Sequence, residues 1–186
     1  MPDGLWQIIQ IADTRRHKNC INEGNTKKTE DRINTVMDSW HKAAAEADED
    51  VFFDGLMTKD AIYLGTDASE RWLRDELKEW SKVHFDKESA WSFTANWRNV
   101  YLSNNQRMAW FEESLDTWMG ECRGSGVLEL INGEWKIKHY NLSIMVPNDI
   151  VKDFMDLVKN GPKTKEEEEP KTGKKKRKKK KSKKKK

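Results

Sequence analysis

Apolar residues recur at helical spacing in two long segments of the sequence. In the segment 30–47, charged residues separate apolar positions three and four apart, which predicts an amphipathic helix. A second stripe of the same period predicts a helix over 69–85, where Asp67 with Glu70, or Thr66 with Ser69, can cap the first turn. The two stripes consist of Ile33, Met37, Trp40, Ala44 and Ala47, and of Leu73, Leu77, Trp80 and His84.

Shorter elements lie between and after these helices. The apolar stretch 50–57 predicts a short turn of helix, and 61–66 predicts a brief strand that ends near Gly65. Pro147 ends the last predicted strand, and a polar residue after it can cap a final helix. We expect that helix to bury an apolar stripe of Ile150, Phe154, Leu157 and Val158.

The hydrophobic period changes from 3.6 to two in the second half of the chain. Alternation predicts strands over 90–103, 106–119, 121–131 and 134–146, with hairpin turns at Asn104-Asn105 and Asn132-Gly133. In the first of these strands Trp91, Phe93, Ala95, Trp97, Asn99 and Tyr101 share one parity. The order of elements predicts an α+β fold in which helices pack on one face of a curved, mainly antiparallel sheet.

The last strand contains an unusual pattern. Trp135 and Ile137 share a parity with His139, Asn141 and Ser143, so a regular strand turns from apolar to polar along one face. Either this half of the strand leaves the core, or it lines a cavity whose wall needs polar groups. The second interpretation predicts a pocket between sheet and helices.

Charge is unevenly distributed along the 186 residues. The segment 174–186 contains twelve basic residues, and removing these charges from the formal net charge of +3 leaves −9 on residues 1–173. From Gly161 onward no apolar residue remains, so we expect a disordered tail. A continuous basic run predicts salt-dependent, non-specific binding to nucleic acid or another polyanion. Anionic lipid, nuclear localisation and docking on the acidic domain are the alternatives.

The sequence favours a cytoplasmic protein, with the nucleus as the alternative because of the basic tail. The N-terminal apolar run 5–12 is followed, not preceded, by basic residues, which reverses the order in a signal peptide. Cys20 and Cys122 form no CxxC pair. Motifs such as GxxxxGK, GxGxxG, HExxH and GxSxG are missing, so we predict neither a cofactor nor a metal.

Five stretches of the sequence are informative together: DSWHKAAAEAD, FDGLMTKDAIYLGTD, ERW, AWFEESLDTWMGECRGSGVL and GEWKIKHYNLSI. They resemble the SnoaL-like domains of the nuclear transport factor two (ketosteroid-isomerase-like) superfamily. The resemblance implies a cone-shaped α+β domain that encloses a pocket and often dimerises through its sheet. The predicted organisation is an N-terminal extension at 1–28, a SnoaL-like domain at 29–160 and a Lys-rich tail at 161–186.

Two residues are the candidate acid and base for catalysis, Glu113 and His139. Glu113 interrupts an apolar parity of its strand, where burial would raise the pKa of its carboxyl toward that of a general base. If the faces of that strand are reversed, Glu112 and Asp116 take its place. The structural alternatives are an ion pair between Glu113 and Arg123, and a His139 held by a backbone carbonyl.

The predicted ligand-binding residues are Trp135, Ser143, Arg123, Tyr63 and Trp97. Large aromatics at these spacings are more often core or interface than an aromatic cage, so we assign most tryptophans to the core. Two functional hypotheses follow. The domain either binds a small, mainly apolar ligand, with isomerase- or lyase-like acid/base activity, or it is a non-catalytic homodimeric adaptor that carries a polyanion-binding tail.

Overall fold

Residues 23–161 are described in this computed structural model, and their first element is a long helix, α1 (Glu23–Ala45). A six-residue π-helical turn (Asp50–Gly55) follows. The next elements are β1 (Met57–Leu64), β2 (Arg71–Leu73) and α2 (Arg74–Phe85). Both predicted long helices and the short helical turn are therefore present, whereas strand β2 was not predicted.

The predicted start of the second helix is wrong by five residues. Helix α2 begins at Arg74, where the Glu76 carboxylate accepts the backbone N–H of Leu73 at 2.9 Å. The Asp67–Glu70 pair closes a loop instead, because Glu70 accepts the N–H of Asp67 at 3.1 Å while Asp67 accepts that of Ser69 at 2.8 Å. A capping sequence thus stabilises a turn that precedes a short strand.

Four longer strands complete the sheet, and each corresponds to one of the four predicted strand segments. They are β3 (Thr94–Leu102), β4 (Met108–Thr117), β5 (Gly120–Ile131) and β6 (Glu134–Ile144). The strand order is β2-β1-β6-β5-β4-β3, with β1 parallel to β6 and the other neighbours antiparallel. This open, curved, mainly antiparallel sheet confirms the predicted α+β class.

The core lies between the inner face of the sheet and the helices. Helix α1 contributes the predicted stripe of Ile33, Met37, Trp40 and Ala44, all nearly inaccessible to solvent. From the sheet, Phe111, Leu115, Leu128 and Ile137 face this stripe. Because burial of apolar surface is favourable, the apolar stripe of the helix and the apolar face of the sheet turn toward each other.

Two β-bulges reverse the faces of β3 and β6. In β6, Ile137 pairs with Leu128 of β5 and His139 pairs with the next β5 residue, Val127, so that Lys138 has no partner on β5. In β3, Ala95 pairs with Leu115 of β4 and Trp97 pairs with the next β4 residue, Ser114, so that Asn96 has no partner on β4. One extra residue moves every later side chain to the opposite face.

The bulges explain the polar half of β6. Beyond Lys138, the side chains that face the core are those of Tyr140 and Leu142, while His139 faces outward opposite Val127. Likewise Arg98, rather than Trp97, faces inward on β3. The predicted continuous parities, Trp135 to Ser143 and Trp91 to Tyr101, are therefore wrong beyond the bulges.

The chain divides into two units after Met145, and helix α3 (Val151–Asn160) is the main described element of the second. The predicted burial of its apolar stripe is not observed, since no residue of α3 is buried. The Lys-rich tail after Gly161 and the first 22 residues lie outside the described residues. None of the helices between residues 23 and 161 combines the length and apolar character that crossing a membrane requires.

Candidate functional site

A cavity of about 350 Å³ opens beside α2 in the first unit. Its walls come from β1, the 65–70 loop, β2, α2, the segment that precedes β3, the β4–β5 turn and β6. The residues that line it are Tyr63, Gly65, Thr66, Glu70, Trp72, Leu77, Trp80, His84, Ala90, Trp91, Phe93, Trp118 and Leu142. Most of this surface is aromatic or aliphatic, as in typical small-molecule sites.

Ring side chains form a connected series along one side of the cavity. Trp72 stacks on Trp80 with centroids 5.5 Å apart, and Trp80 lies 5.6 Å from the His84 ring. The His84 ring in turn meets Trp91 edge-on at 6.4 Å. The sequence assigned these tryptophans to the core, but Trp80 remains 45% exposed and its ring faces the cavity.

Glu70 is the one formally charged side chain among the described residues that line the cavity. Its carboxylate accepts the backbone N–H of Asp67, and its backbone carbonyl accepts that of Gly65 at 2.9 Å. A Cβ at Gly65 would lie 2.1 Å from the carboxylate oxygen and 2.9 Å from the Glu70 Cβ. Glycine at position 65 therefore leaves the space in which the Glu70 side chain lies.

Behind the cavity, Glu113 occupies a fully buried polar cluster. Its Oε1 accepts hydrogen bonds from His41 Nε2 at 2.9 Å and from the Tyr140 hydroxyl at 3.0 Å. Its Oε2 accepts one from Arg98 Nε at 2.8 Å. Arg98 is itself 5% exposed and also binds Asp38 through Nη1 at 2.9 Å. The Glu113 carboxylate is thus surrounded by three donors.

These donors set the protonation of the cluster. Burial alone raises the pKa of Glu113, but hydrogen bonds and charges from His41 and Arg98 outweigh it, so the net shift is downward. An ionised carboxylate only accepts hydrogen bonds, which requires that His41 carries its proton on Nε2. Burial also raises the pKa of the Tyr140 hydroxyl, which keeps it a donor. The predicted upward shift at Glu113 is wrong.

Local sequence devices bring the cluster together. The bulge at Asn96 turns Arg98 inward, and the bulge at Lys138 does the same for Tyr140. Opposite Glu113 on β5 stands Gly124, where a Cβ would lie 2.5 Å from the Tyr140 hydroxyl and 2.6 Å from Glu113 Oε1. The glycine therefore permits the close approach of Tyr140 and Glu113 to the backbone of β5.

The cluster and the cavity share a wall. The Tyr63 ring, which lines the cavity, stacks on the Tyr140 ring with centroids 5.6 Å apart and an interplanar angle of 18°. Phe93, also a lining residue, lies 6.4 Å from the His41 ring. Glu113 itself does not line the cavity. Tyr140 and His41 of the buried polar cluster thus pack against Tyr63 and Phe93 of the cavity wall.

The predicted acid and base are not brought together. Glu113 faces the core, whereas His139 faces outward beside Trp110 and Glu112. Of the alternatives, Glu112 and Asp116 are exposed, and Arg123 is exposed on the outer face opposite Ser114. The cation that pairs with Glu113 is Arg98, not Arg123.

The predicted ligand-binding residues are dispersed. Tyr63 lines the aromatic cavity, and Trp135 is buried beside a separate groove that includes Arg32 and Lys136. Ser143 lies opposite Arg123 on the outer face, where Asn141 donates to its hydroxyl at 3.1 Å, and Trp97 is exposed on that face. Among these five residues, the structure places only Tyr63 in the cavity.

Sequence reasoning missed His41, Arg98, Glu70 and His84. His41 had a usable signal, because it lies four residues after Met37 and three before Ala44, inside the apolar stripe of α1. Arg98 had none, since only the bulge turns it inward. Within residues 23–161, no group of three His, Cys, Asp or Glu side chains is arranged to hold a metal ion.

Comparison with known proteins agrees with this architecture. The sequence profile of the SnoaL-like domain matches residues 33–147, more than half of the chain. The chain belongs to the SnoaL-like domain family. None of the curated proteins compared with this sequence matches it.

Solved structures share the fold of this SnoaL-like domain at low sequence identity. An NTF2-like protein of unknown function from Pseudomonas putida KT2440 aligns with a TM-score of 0.55 and 11% identity, over 66% of this chain and 91% of that one. A candidate scytalone dehydratase from Novosphingobium aromaticivorans DSM 12444 gives 0.54 and 11%, over 68% and 89%. An NTF-2 like protein of unknown function from Silicibacter pomeroyi DSS-3 gives 0.51 and 16%, over 64% and 98%. These similarities confirm the cone-like α+β fold of the superfamily.

Proposed function

We propose that this SnoaL-like domain binds a small, mainly apolar ligand in the cavity beside α2. The observation that supports the proposal is the lining itself, in which aromatic walls surround about 350 Å³ and only a few polar groups interrupt them. A planar or compact apolar molecule fits such a site, because rings supply contact area and the few polar groups fix orientation.

Proton transfer by Glu113 and His139 has no geometric support. Glu113 is inaccessible, ionised and saturated with donors, and His139 faces the other side of the sheet. A general base has to reach the proton that it removes. We therefore propose ligand binding without catalysis by that pair, and a structural role for Glu113.

Two tryptophans of equal exposure provide the test. Trp80 lines the cavity and Trp97 lies on the outer face, and each is 45% exposed. A panel of small planar and apolar compounds is titrated against the full chain by calorimetry. We expect Trp80→Ala to weaken the binding of any hit by about tenfold or more, as for an aromatic side chain that the bound ligand covers, and Trp97→Ala to leave it unchanged. Equal effects of the two substitutions would contradict the cavity as the binding site.

The outer face of the sheet supports a second function, self-association as a homodimeric adaptor. Tyr101 and Trp110 stack there with centroids 5.8 Å apart, and Trp97 lies exposed on the same face. An exposed aromatic pair and a further exposed tryptophan on one sheet face favour an interaction surface there. The adaptor function adds the Lys-rich tail as the polyanion-binding element.

Sedimentation of the full chain at micromolar concentration tests this association. A dimer is expected, and Trp110→Ser should shift it toward monomer. The control is Val83→Ser on α2, because Val83 is exposed but outside both the outer face and the cavity lining. A wild-type chain that sediments as a strict monomer would contradict the homodimer.

A further inference from the structure

The charge in the aromatic cavity is of one sign. Glu70 lines the cavity together with the rings of Trp72, Trp80 and Trp91, and no Lys or Arg is among the lining residues. In the described part of the chain no cationic side chain pairs with Glu70, and its carboxylate accepts one hydrogen bond, from the Asp67 N–H. The negative charge is thus compensated by a single backbone dipole.

The charge of Glu70 acts on another residue that lines the cavity, Tyr63. Burial raises the pKa of the Tyr63 hydroxyl, and the charge of Glu70 adds to the rise. The space reserved by Gly65 keeps the carboxylate at the wall, since a side chain at position 65 would collide with it. An anionic ligand would be repelled here, and a neutral one would leave the carboxylate without a partner.

We propose that the cavity selects an organic cation, such as a quaternary ammonium group on a small apolar body. This inference rests on the proposed ligand-binding function of the same cavity and names its ligand class. The faces of tryptophan rings attract a cation through their quadrupole, most strongly where water is excluded. Glu70 supplies the opposite charge, and the methyl groups of the ammonium fill the apolar volume between the rings.

Matched probes separate charge from shape. Choline and its uncharged isostere dimethylbutanol, in which a tert-butyl group replaces trimethylammonium, have nearly the same size. Binding of each to the full chain is measured by calorimetry. We expect choline to bind about tenfold more tightly or better, given the strength of cation–π contacts combined with an opposite charge.

Each outcome of this comparison has a distinct meaning. If dimethylbutanol binds as well as choline, cation selection is overturned while ligand binding in the cavity stands. If neither probe binds and no compound of the planar and apolar panel binds, both cation selection and the proposed ligand-binding function are wrong. If the panel yields a neutral or anionic hit that choline cannot displace, the ligand class is wrong and the site is right.

Two substitutions of the same kind locate the charge that matters. Glu70→Gln keeps the shape of the side chain and is expected to reduce the choline preference several-fold. Glu79→Gln changes the same charge on an exposed position of α2 outside the lining, and it should preserve the preference. An equal loss in both variants would indicate general electrostatic attraction and would refute a specific role for Glu70.

A ring substitution keeps the test valid if Glu70→Gln disturbs the loop. Trp80→Leu retains apolar bulk but removes a π face, so it should weaken choline more than dimethylbutanol. Because the readout is the ratio of two affinities in one sample, partial unfolding cancels from it. A ratio in Trp80→Leu equal to that of the wild type would contradict the cation–π component.

Discussion

Replacement of Glu113 by glutamine tests whether the buried polar cluster stabilises the fold. The carboxylate accepts from His41 and Tyr140 at one oxygen and from Arg98 at the other. A glutamine amide offers one oxygen and one NH2 group. If the NH2 group faces Arg98, that hydrogen bond is lost. If it faces His41 and Tyr140, both must change from donors to acceptors, and in either orientation Arg98 loses the charge of Glu113.

The magnitude follows from which bonds survive. Hydrogen bonds to charged groups contribute about 1.5–3 kcal/mol, and breaking a buried ion pair costs about 3–5 kcal/mol when the partner is left uncompensated. Arg98 keeps its contacts with Asp38 and Asn34, which lowers the second figure. We expect a loss of about 2–4 kcal/mol in the free energy of unfolding, or roughly 5–15 °C in Tm for a domain of this size.

Urea unfolding followed by tryptophan fluorescence measures this loss. The matched control is Glu112→Gln, one residue earlier on β4, where the side chain is exposed on the outer face. Substitutions at such positions change the free energy by about 0.5 kcal/mol or less. If Glu113→Gln is no more destabilising than Glu112→Gln, the cluster does not stabilise the fold and the structural role assigned to Glu113 is wrong.

Three further predictions concern the same cluster and the tail. The pKa of Glu113 lies below its ordinary value of 4.5, so its contribution to the free energy of unfolding is present above pH 4.5 and is lost as the pH falls through the folded-state pKa. The free energies of unfolding of wild type and Glu113→Gln, measured by urea titration, should therefore converge at acid pH. A difference that grows toward acid pH would contradict the downward shift of this pKa. Gly124→Ala should lower the free energy of unfolding by about 1–3 kcal/mol, because the new Cβ overpacks the cluster, whereas Gly55→Ala, whose Cβ would meet nothing closer than 3.5 Å, should change it little in the same assay. Truncation after Asn160 should leave Tm nearly unchanged while abolishing most heparin binding, and destabilisation confined to low salt would instead indicate a docked tail.

The hydrophobic pattern was sufficient to predict most elements because each buries one side. The stripe of α1 and the alternation in β4 and β5 match the observed core faces. Strand β2 was missed because Arg71–Leu73 has three residues, too few to show a period, and because Asp67 and Glu70 looked like a helix cap. Local capping chemistry was recognised there, but it closes a loop.

The site was much less predictable than the fold. A period of two assigns faces only while the register is constant, and a single unmatched residue at Asn96 or Lys138 reverses every later assignment. Neither asparagine nor lysine at these positions predicts a bulge. Trp97 and His139 were therefore predicted for the pocket, whereas the bulges turn Arg98 and Tyr140 inward instead, and the choice of His139 as the partner of Glu113 followed from that error.

The two bulges and Gly124 all contribute to the environment of one carboxylate, which gives these irregularities a common structural role. A regular β3 would leave Glu113 without Arg98, and a regular β6 would remove the Tyr140 hydroxyl from it. An unpaired carboxylate at that depth is too costly to remain charged. Since Tyr140 also supports Tyr63 in the cavity wall, the same polar cluster that neutralises Glu113 fixes the shape of the aromatic cavity. In the proposed function, the polar residues that resemble a catalytic centre thus act on the cavity through packing, and the exposed rings and Glu70 are the groups proposed to recognise the ligand.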